Sequence, residues 1–241
     1  MKNVGEASSR NQEFNNEFSR ERIIQTVVNN PSPVIFDVGA HHGQSAVYFQ
    51  ELFLEPTIYS FEPDPSSFTV LAEKKLKNNY IFNLAISEKV GEIDFFQNKI
   101  SHTNSIYRVN YNSKDSIFFT KKGNKKNESV FQNFNHKIKV KTTTLDQFCN
   151  SNSISQIDLL KIDVQGAEIN VLNGAEQILF RTNTCVIEVS LYDYYESTSA
   201  IHLIEEILYP KSLKLYSILE ISNNPMNGRT DWVELLYKRT I

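Results

Sequence analysis

A short apolar run that ends in an acid and turns through two glycines opens the segment Val34–Ser45. The glycines, Gly39 and Gly43, are spaced G-x-x-x-G, whereas a loop that cradles a dinucleotide pyrophosphate has the spacing G-x-G-x-x-G. Asp37 precedes the turn, where its charge would repel phosphate and favour a cationic ligand group such as an amine or a sulfonium. A helix that begins at Gln44 would add free N–H groups to the same turn. The pattern predicts a ligand-binding loop, with a plain strand–helix turn as the alternative.

A second acid, Glu62, follows the apolar run Thr57–Phe61, 25 positions after Asp37. At the tip of a second parallel strand, such a carboxylate can accept hydrogen bonds from both hydroxyls of a ribose. The alternative is an exposed acid that caps a helix. Asp64 fits that alternative well, because it precedes Pro65 at a predicted helix start.

Two more carboxylates end later apolar runs. Asp163 follows Leu159–Ile162, and Glu188 lies in Cys185–Val189. Carboxylates at the carboxyl edge of neighbouring strands can serve as a general base, or bind Mg²⁺ or Mn²⁺ through hard oxygen ligands. The plainer alternatives are a helix cap for Asp163 and a simple hydrogen-bond acceptor for Glu188. Lys161 is either a salt-bridge partner or a site residue.

The elements that must position these residues alternate between strand and helix, which predicts crossovers and a mostly parallel sheet. The strands are expected at Val34–Asp37, Thr57–Phe61, Tyr80–Leu84, Ile157–Ile162, Thr184–Val189, Lys214–Leu219 and Trp232–Tyr237. The helices are expected at Gln44–Leu54, Pro65–Leu76, Ala167–Leu179 and Thr198–Leu208.

The remaining segments divide the chain into an N-terminal part, 1–30, and a main domain, 31–241. Residues 1–9 are expected to be disordered, and Glu13–Val28 has helical apolar spacing. An insertion at about 98–136 has no clear period, as in binding loops and lids. The flanking segments Glu92–Gln97 and Lys137–Thr142 are expected to pair as strands.

Composition bounds the class of protein. The 241 residues suit one α/β domain with an insertion, and the net charge of −3 provides no basic field to attract nucleic acid. Cys149 and Cys185 match no metal or disulfide pattern, and Cys185 is expected to be a buried thiol. We find no signal peptide or membrane span in the sequence, so we expect a cytoplasmic protein.

Taken in order, these segments resemble the FkbM-type family of S-adenosylmethionine-dependent methyltransferases. Leu160–Glu168 is similar to the family signature L-K-I-D-V-E-G-x-E, with Gln165 carrying an amide for the acid. Asp37–Gly43 is similar to the D-V-G-A-N-x-G loop, with His41 in place of Asn. Shorter matches occur at Phe61–Pro63, Asn83–Ser87, Thr144–Asp146, Val171–Ala175 and Asp231–Trp232. The resemblance covers residues 34–237.

The resemblance implies a Rossmann-like α/β fold, a seven-strand mostly parallel sheet with flanking helices whose last strand is antiparallel. It implies S-adenosylmethionine as the cofactor and transfer to a hydroxyl oxygen, usually of a carbohydrate or nucleotide-linked sugar in surface-polysaccharide or glycan synthesis. The implied cofactor residues are Asp37, Gly39, Ala40, His41, Gly43, Gln44, Ser45, Glu62, Asn83 and Ala85.

A hydroxyl nucleophile needs a base or a metal to take its proton. Asp163 is the first candidate, followed by Glu188, His42 and His102. The two carboxylates are also the candidate ligands for Mg²⁺ or Mn²⁺. The surrounding sequence leaves the acceptor, the methylated position and the oligomeric state open, with a homodimer as one option.

Other residues are candidates for contacting the acceptor. A lysine run at 121–126 is either a solvated loop or a contact for an anionic acceptor. Tyr192, Tyr194 and Tyr195 could stack on a sugar ring or cover the sheet edge. Two other functions compete with methyl transfer, a nicotinamide-dependent oxidoreductase and a non-catalytic scaffold with a degenerate cofactor pocket. The glycine spacing and the early Asp37 argue against the oxidoreductase, and the intact acids argue against the scaffold.

Overall fold

The computed structural model describes residues 4–114, 116, 133–225 and 227–240. Its strands are β1 (Val34–Val38), β2 (Thr57–Phe61), β3 (Asn79–Phe82), β4 (Ala85–Ile86), β5 (Gly91–Gln97), β6 (His136–Thr143), β7 (Ile157–Ile162), β8 (Thr182–Ser190), β9 (Leu213–Asn223) and β10 (Thr230–Arg239). Its helices are α1 (Val4–Glu17), α2 (Arg20–Val28), α3 (Gln44–Leu52), α4 (Pro65–Glu73), α5 (Leu145–Ser151), α6 (Glu168–Asn173) and α7 (Ile201–Leu208).

Within these residues, seven strands form one sheet in the order β3-β2-β1-β7-β8-β10-β9. The pairs β1–β2, β1–β7, β2–β3 and β7–β8 are parallel, and β10 is antiparallel to both of its neighbours. This confirms the predicted α/β fold with an antiparallel last strand. Strand β7 is central and buried at every position, and its apolar residues are interrupted only by Asp158 and Lys161, which are buried as well.

The core lies on both faces of this sheet because successive strand residues point in opposite directions. Ile35 packs on one face with Ile24 of α2 and Phe49 of α3. Its neighbour Phe36 packs on the other face, in the cluster that includes Phe148 of α5. Burial of each such side chain contributes about 1.5–3 kcal/mol, so the sheet is fixed from both sides.

The N-terminal region differs from the sequence prediction. It forms two helices, with Ser19 between them accepting the N–H of Arg22, where one helix over Glu13–Val28 was expected. The predicted disorder at 1–9 is wrong for residues 4–9, which lie in α1, whereas residues 1–3 are outside the described residues. Helix α2 is fastened to β10 by the Arg20 guanidinium, which donates to both carboxylate oxygens of Glu234 at 2.8 Å.

The insertion at 98–136 lies between two strands of a second, smaller sheet. Strands β5 and β6 are antiparallel and β4 joins β6 in parallel, which confirms the predicted pairing. A 3-10 turn at Ser101–Thr103 follows β5, and Val109 then bridges to Tyr195 beyond β8. This part of the insertion therefore packs back on the main sheet. The lysine run at 121–126 lies outside the described residues.

Several helix bounds are shorter than predicted. The expected helix Ala167–Leu179 is split into α6 and a 3-10 turn at Ile178–Arg181, because the chain turns at Gly174. A Cβ at Gly174 would lie 2.1 Å from the carbonyl oxygen of Ser87, so the turn needs glycine. Cys149 and Cys185 are free and buried, as expected for Cys185. No helix among the described residues is both long and apolar enough to cross a membrane.

Candidate active site

A cavity of about 520 Å³ opens at the carboxyl ends of β1, β2, β7 and β8. Ligands of open parallel sheets bind at this edge. The segment after β5, including Ile100–Asn104, lines the same cavity together with the strand ends. The glycine loop, Glu62, Asp163 and Glu188 thus come together in one space, although they are far apart in sequence.

The glycine loop is shaped by packing against its own fold. Gly39 has φ +83°, and a Cβ there would lie 1.8 Å from the carbonyl oxygen of Asp163. Gly43, at φ +80°, precedes α3, and a Cβ there would lie 2.5 Å from Leu71. The glycines therefore allow the loop to approach the end of β7 and α4. The N–H groups of Gly39 and Ala40 both donate to the carbonyl oxygen of Phe61.

Glu62 is the buried acid beside this loop. Its Oε2 accepts the N–H of His41 at 2.7 Å, and its Oε1 accepts the N–H of Asp64 at 2.8 Å. Burial raises the pKa of Glu62 to about 7 despite these two bonds. The carboxyl group lines the cavity, so lone pairs not used by the backbone can face a ligand.

The two neighbouring histidines have different positions. His41 lines the cavity, and its Nε2 lies 2.9 Å from Oγ of Ser101 in the insertion. Burial, followed by the imidazoles of His42 and His102, lowers the pKa of His41 to about 4. His42 is not among the cavity-lining residues and stacks on His41 with ring centroids 3.7 Å apart. The structure therefore does not place His42 with the other candidate bases.

The other predicted cofactor residues divide in the same way. Gln44 and Ser45 line the cavity from the first turn of α3, and Ala85 lines it from β4. Asn83 does not line it; its amide donates to the carbonyl oxygens of Glu62 and Pro63 and holds the loop after β2. Its position indicates a supporting contact with the loop.

A buried lysine organises the acids of the central strands. Lys161 Nζ lies 3.3 Å from Oδ1 of Asp37, 3.4 Å from Oδ2 of Asp163 and 3.1 Å from the carbonyl oxygen of Gly39. Burial disfavours the ammonium form, but the two carboxylates outweigh it and raise the pKa of Lys161. Asp37 is fully buried behind this lysine and does not line the cavity. Its carboxyl group pairs with Lys161 inside the protein, although burial outweighs this partner and raises the pKa of Asp37.

Asp163 and Glu188 are linked by one side chain. Nε2 of Gln165 lies 2.8 Å from Oδ1 of Asp163 and 3.2 Å from Oε1 of Glu188. Burial and the nearby Asp163 carboxylate raise the pKa of Glu188 to about 8. The cavity thus contains a pair of adjacent carboxyl groups, one of which retains its proton to unusually high pH.

Aromatic and polar side chains complete the side of the cavity beyond Glu188. His102, Tyr192, Tyr194 and Trp232 line it, whereas Tyr195 is buried behind. Arg229, in the loop before β10, pairs with Asp231 and lies over the Tyr192 ring at 5.4 Å.

Two contributors to the site were missed or undervalued from the sequence. Ser101 was not a candidate, and Gln165 was noted only as a departure from the family signature. No local signal marks Ser101, because its contact with His41 joins segments 60 positions apart. For Gln165, the available signal was its amide, at a position where the family signature has an acid.

Two proteins described as methyltransferases are similar in sequence to this chain. The 2-O-methyltransferase NoeI of Sinorhizobium fredii is 31% identical over 189 residues, which span 78% of this chain and 75% of that protein. The methyltransferase sdnD of Sordaria araneosa is 24% identical over 174 residues, which span 63% of this chain and 64% of that protein.

Among solved structures, the Burkholderia thailandensis 1,6-didemethyltoxoflavin-N1-methyltransferase has a TM-score of 0.47 and 13% identity, covering 92% of this chain and 77% of its own. The strand order described above, rather than this likeness, establishes the fold. The sequence model of the methyltransferase FkbM domain matches residues 37–216, most of the chain. The chain therefore belongs to the FkbM family of methyltransferases.

Proposed function

We propose that the protein transfers a methyl group from S-adenosylmethionine to a hydroxyl oxygen of a carbohydrate. The observation that carries the proposal is that one cavity is lined both by Glu62, an acid at the position that binds ribose hydroxyls, and by the Asp163–Glu188 carboxyl pair. The first arrangement suits a nucleoside cofactor, and the second suits an acceptor that must lose a proton.

The residues present fit this cofactor. Glu62 can accept ribose hydroxyls, and Leu84, Ala85 and Ile86 provide an apolar wall for an adenine ring. Bound there, S-adenosylmethionine would supply an electrophilic methyl carbon on a sulfonium. The loop through His41 would orient it, because the His41 N–H is fixed by Glu62 and its ring by Ser101.

The carboxyl pair supports proton removal from a hydroxyl. A base is most effective when its pKa lies near the working pH, and burial beside Asp163 raises the pKa of Glu188 toward that range. We therefore propose that Glu188 removes the proton of the acceptor hydroxyl and that Asp163 orients this hydroxyl. His102 also lines the cavity and remains an alternative base.

The acceptor class is inferred from the aromatic side chains. Tyr192, Tyr194 and Trp232 line the same cavity as Glu188, and aromatic side chains with a polar group suit a sugar with an apolar face and hydroxyl edges. The name of the NoeI relative, a 2-O-methyltransferase, supports oxygen as the methylated atom. A nucleotide-linked carrier and a role in surface-polysaccharide or glycan synthesis remain part of the proposal.

Mg²⁺ or Mn²⁺ at Asp163 and Glu188 remains a hypothesis. Among the described residues, no group of three or more His, Cys, Asp or Glu side chains is arranged to hold a metal. Two carboxylates alone would leave most of the coordination to water or substrate.

The first experiment is calorimetry with S-adenosylmethionine, with NAD as the control. A panel of sugars, glycosides and nucleotide-sugars is then assayed for methyl transfer, with NMR to identify the methylated atom. We expect O-methylation that Glu188→Gln and Asp163→Asn abolish without weakening cofactor binding. Cofactor binding with no turnover on any acceptor would favour the scaffold, and N-methylation would refute the hydroxyl acceptor.

A further inference from the structure

The amide of Gln165 occupies the position between the two candidate catalytic carboxyl groups. One nitrogen atom contacts both of them, Asp163 Oδ1 at 2.8 Å and Glu188 Oε1 at 3.2 Å. A primary amide nitrogen has two hydrogens, so it can donate one to each carboxyl group. Carboxylates this close would otherwise repel each other, and the donor offsets that repulsion.

The opposite end of the same amide is also held. The Tyr195 hydroxyl lies 3.0 Å from Oε1 of Gln165 and 3.0 Å from the carbonyl oxygen of Thr103. The Tyr195 hydroxyl has a single hydrogen for these two acceptors, so the direction of the amide rests on the Asp163 and Glu188 oxygens beside its nitrogen. Tyr195 is buried, so this anchor is shielded from competing water.

The backbone of Gln165 is fastened to the insertion. Its carbonyl oxygen accepts a hydrogen bond from the Ser105 hydroxyl at 2.8 Å. Gln165 has φ +58° and Gly166 has φ +97°, so two successive residues adopt left-handed backbone between β7 and α6. Such conformations persist in non-glycine residues only when surrounding contacts hold them, as these do.

We propose that Gln165 is a positioning residue for methyl transfer, which sets Asp163 and Glu188 as a pair through its amide nitrogen. The inference rests on the proposed function of that pair. Lys161 holds the second oxygen of Asp163, while the amide contacts only Oε1 of Glu188. Oε2 of Glu188 is then the oxygen directed to the acceptor proton. The pairing is made by a neutral donor and requires no divalent cation.

The decisive variants remove the N–H donor of Gln165 and keep a side chain of similar size and shape. Gln165→Glu keeps an oxygen toward Tyr195 but replaces the nitrogen with an oxygen, so that a third carboxylate group joins Asp163 and Glu188. Gln165→Met removes the donor without adding charge. Gln147→Glu makes the same chemical change on the exposed face of α5 and serves as the control.

For each variant, turnover at saturating acceptor, acceptor KM, binding of S-adenosylhomocysteine and binding of Mn²⁺ alone are measured. We expect both Gln165 variants to lose about 10- to 100-fold in kcat, as for a misplaced catalytic group, with S-adenosylhomocysteine affinity nearly unchanged. Gln165→Glu alone should gain Mn²⁺ binding, because three adjacent carboxylates form a hard-oxygen site. Gln147→Glu should match the wild type in all four measurements.

Two results would overturn the proposal while leaving methyl transfer intact. The first is a wild-type enzyme whose turnover disappears with a chelator and returns with Mn²⁺, since a cation would then set the pair. The second is an active Gln165→Met variant with wild-type kcat. A wild-type protein that methylates nothing would instead refute the proposed function itself.

Discussion

Substitution of Gly39 tests whether the glycine loop is shaped by the fold or by its ligand. Gly39→Ala adds a Cβ that would lie 1.8 Å from the carbonyl oxygen of Asp163, at a residue with φ +83°. Backbone on both sides must shift, because the atom in the way is not the end of a flexible side chain. Gly228 provides a matched control, since its φ is +72° but a Cβ there meets nothing within 4 Å.

The two substitutions share one cost and differ in another. Left-handed backbone costs a residue with a Cβ about 1–2 kcal/mol, and this is the whole expected loss for Gly228→Ala. Gly39→Ala adds an overpacking cost of about 1–3 kcal/mol or more. Its total loss should therefore be about 2–5 kcal/mol. In a chain of this size, each kcal/mol lowers the Tm by about 2–4 °C.

Urea unfolding of both variants and the wild type, without cofactor, measures these losses directly. We expect unchanged m-values and a clearly lower midpoint for Gly39→Ala than for Gly228→Ala. Equal losses would show that the contact with Asp163 is not what demands glycine. Wild-type stability combined with lost S-adenosylmethionine binding would show that the ligand demands it.

Two further predictions concern Glu62 and the N-terminal helices. Because ribose hydroxyls require the carboxylate and the pKa of Glu62 is about 7, affinity for 5′-methylthioadenosine should approach its full value about one unit above pH 7, be about half of it at pH 7 and fall about tenfold for each unit well below it. A calorimetric titration series from pH 6 to 8 (about one unit either side of that pKa) checks this, and a flat profile would refute the contact. His41 stays neutral in that range, since its pKa is about 4. Glu234→Gln should destabilise the fold by about 1–3 kcal/mol, because Arg20 loses a charged partner. The matched Glu17→Gln change, at an exposed pair, should cost less than about 1 kcal/mol, and thermal melts of both variants and the wild type compare the two losses.

The sheet was predictable from the sequence because its signals are local. Apolar runs such as Ile157–Ile162, each ending in an acid or a glycine, mark both the strands and the edge where ligands bind. The positions of Glu62, Asp163 and Glu188 at one cavity follow from that pattern. Helix ends were less predictable, as the split after α6 shows, because the close approach of Gly174 to the backbone of Ser87 is a tertiary contact without a local signal.

The roles of individual site residues were harder to predict. The sequence suggested that Asp37 would meet a cationic ligand group, but the structure gives it a cation of the protein, Lys161. Residue type and strand position cannot distinguish these cases, because both place a positive charge near the acid. Asn83 likewise has the right position for an adenine contact but uses its amide to hold the backbone of Glu62.

What the sequence could not show at all is how the insertion completes the site. Ser101 reaches His41, Ser105 reaches the backbone of Gln165, and Tyr195 joins Gln165 to the insertion. These contacts join segments far apart in the chain, and none has a periodic or motif signal. The proposed cofactor side is thus built mainly from residues next to strand ends, with Ser101 as its contact from the insertion, whereas the proposed acceptor side depends on tertiary hydrogen bonds that meet at Gln165. We therefore expect a substitution at Ser105, which contacts Gln165 and not the glycine loop, to alter the geometry of the carboxyl pair.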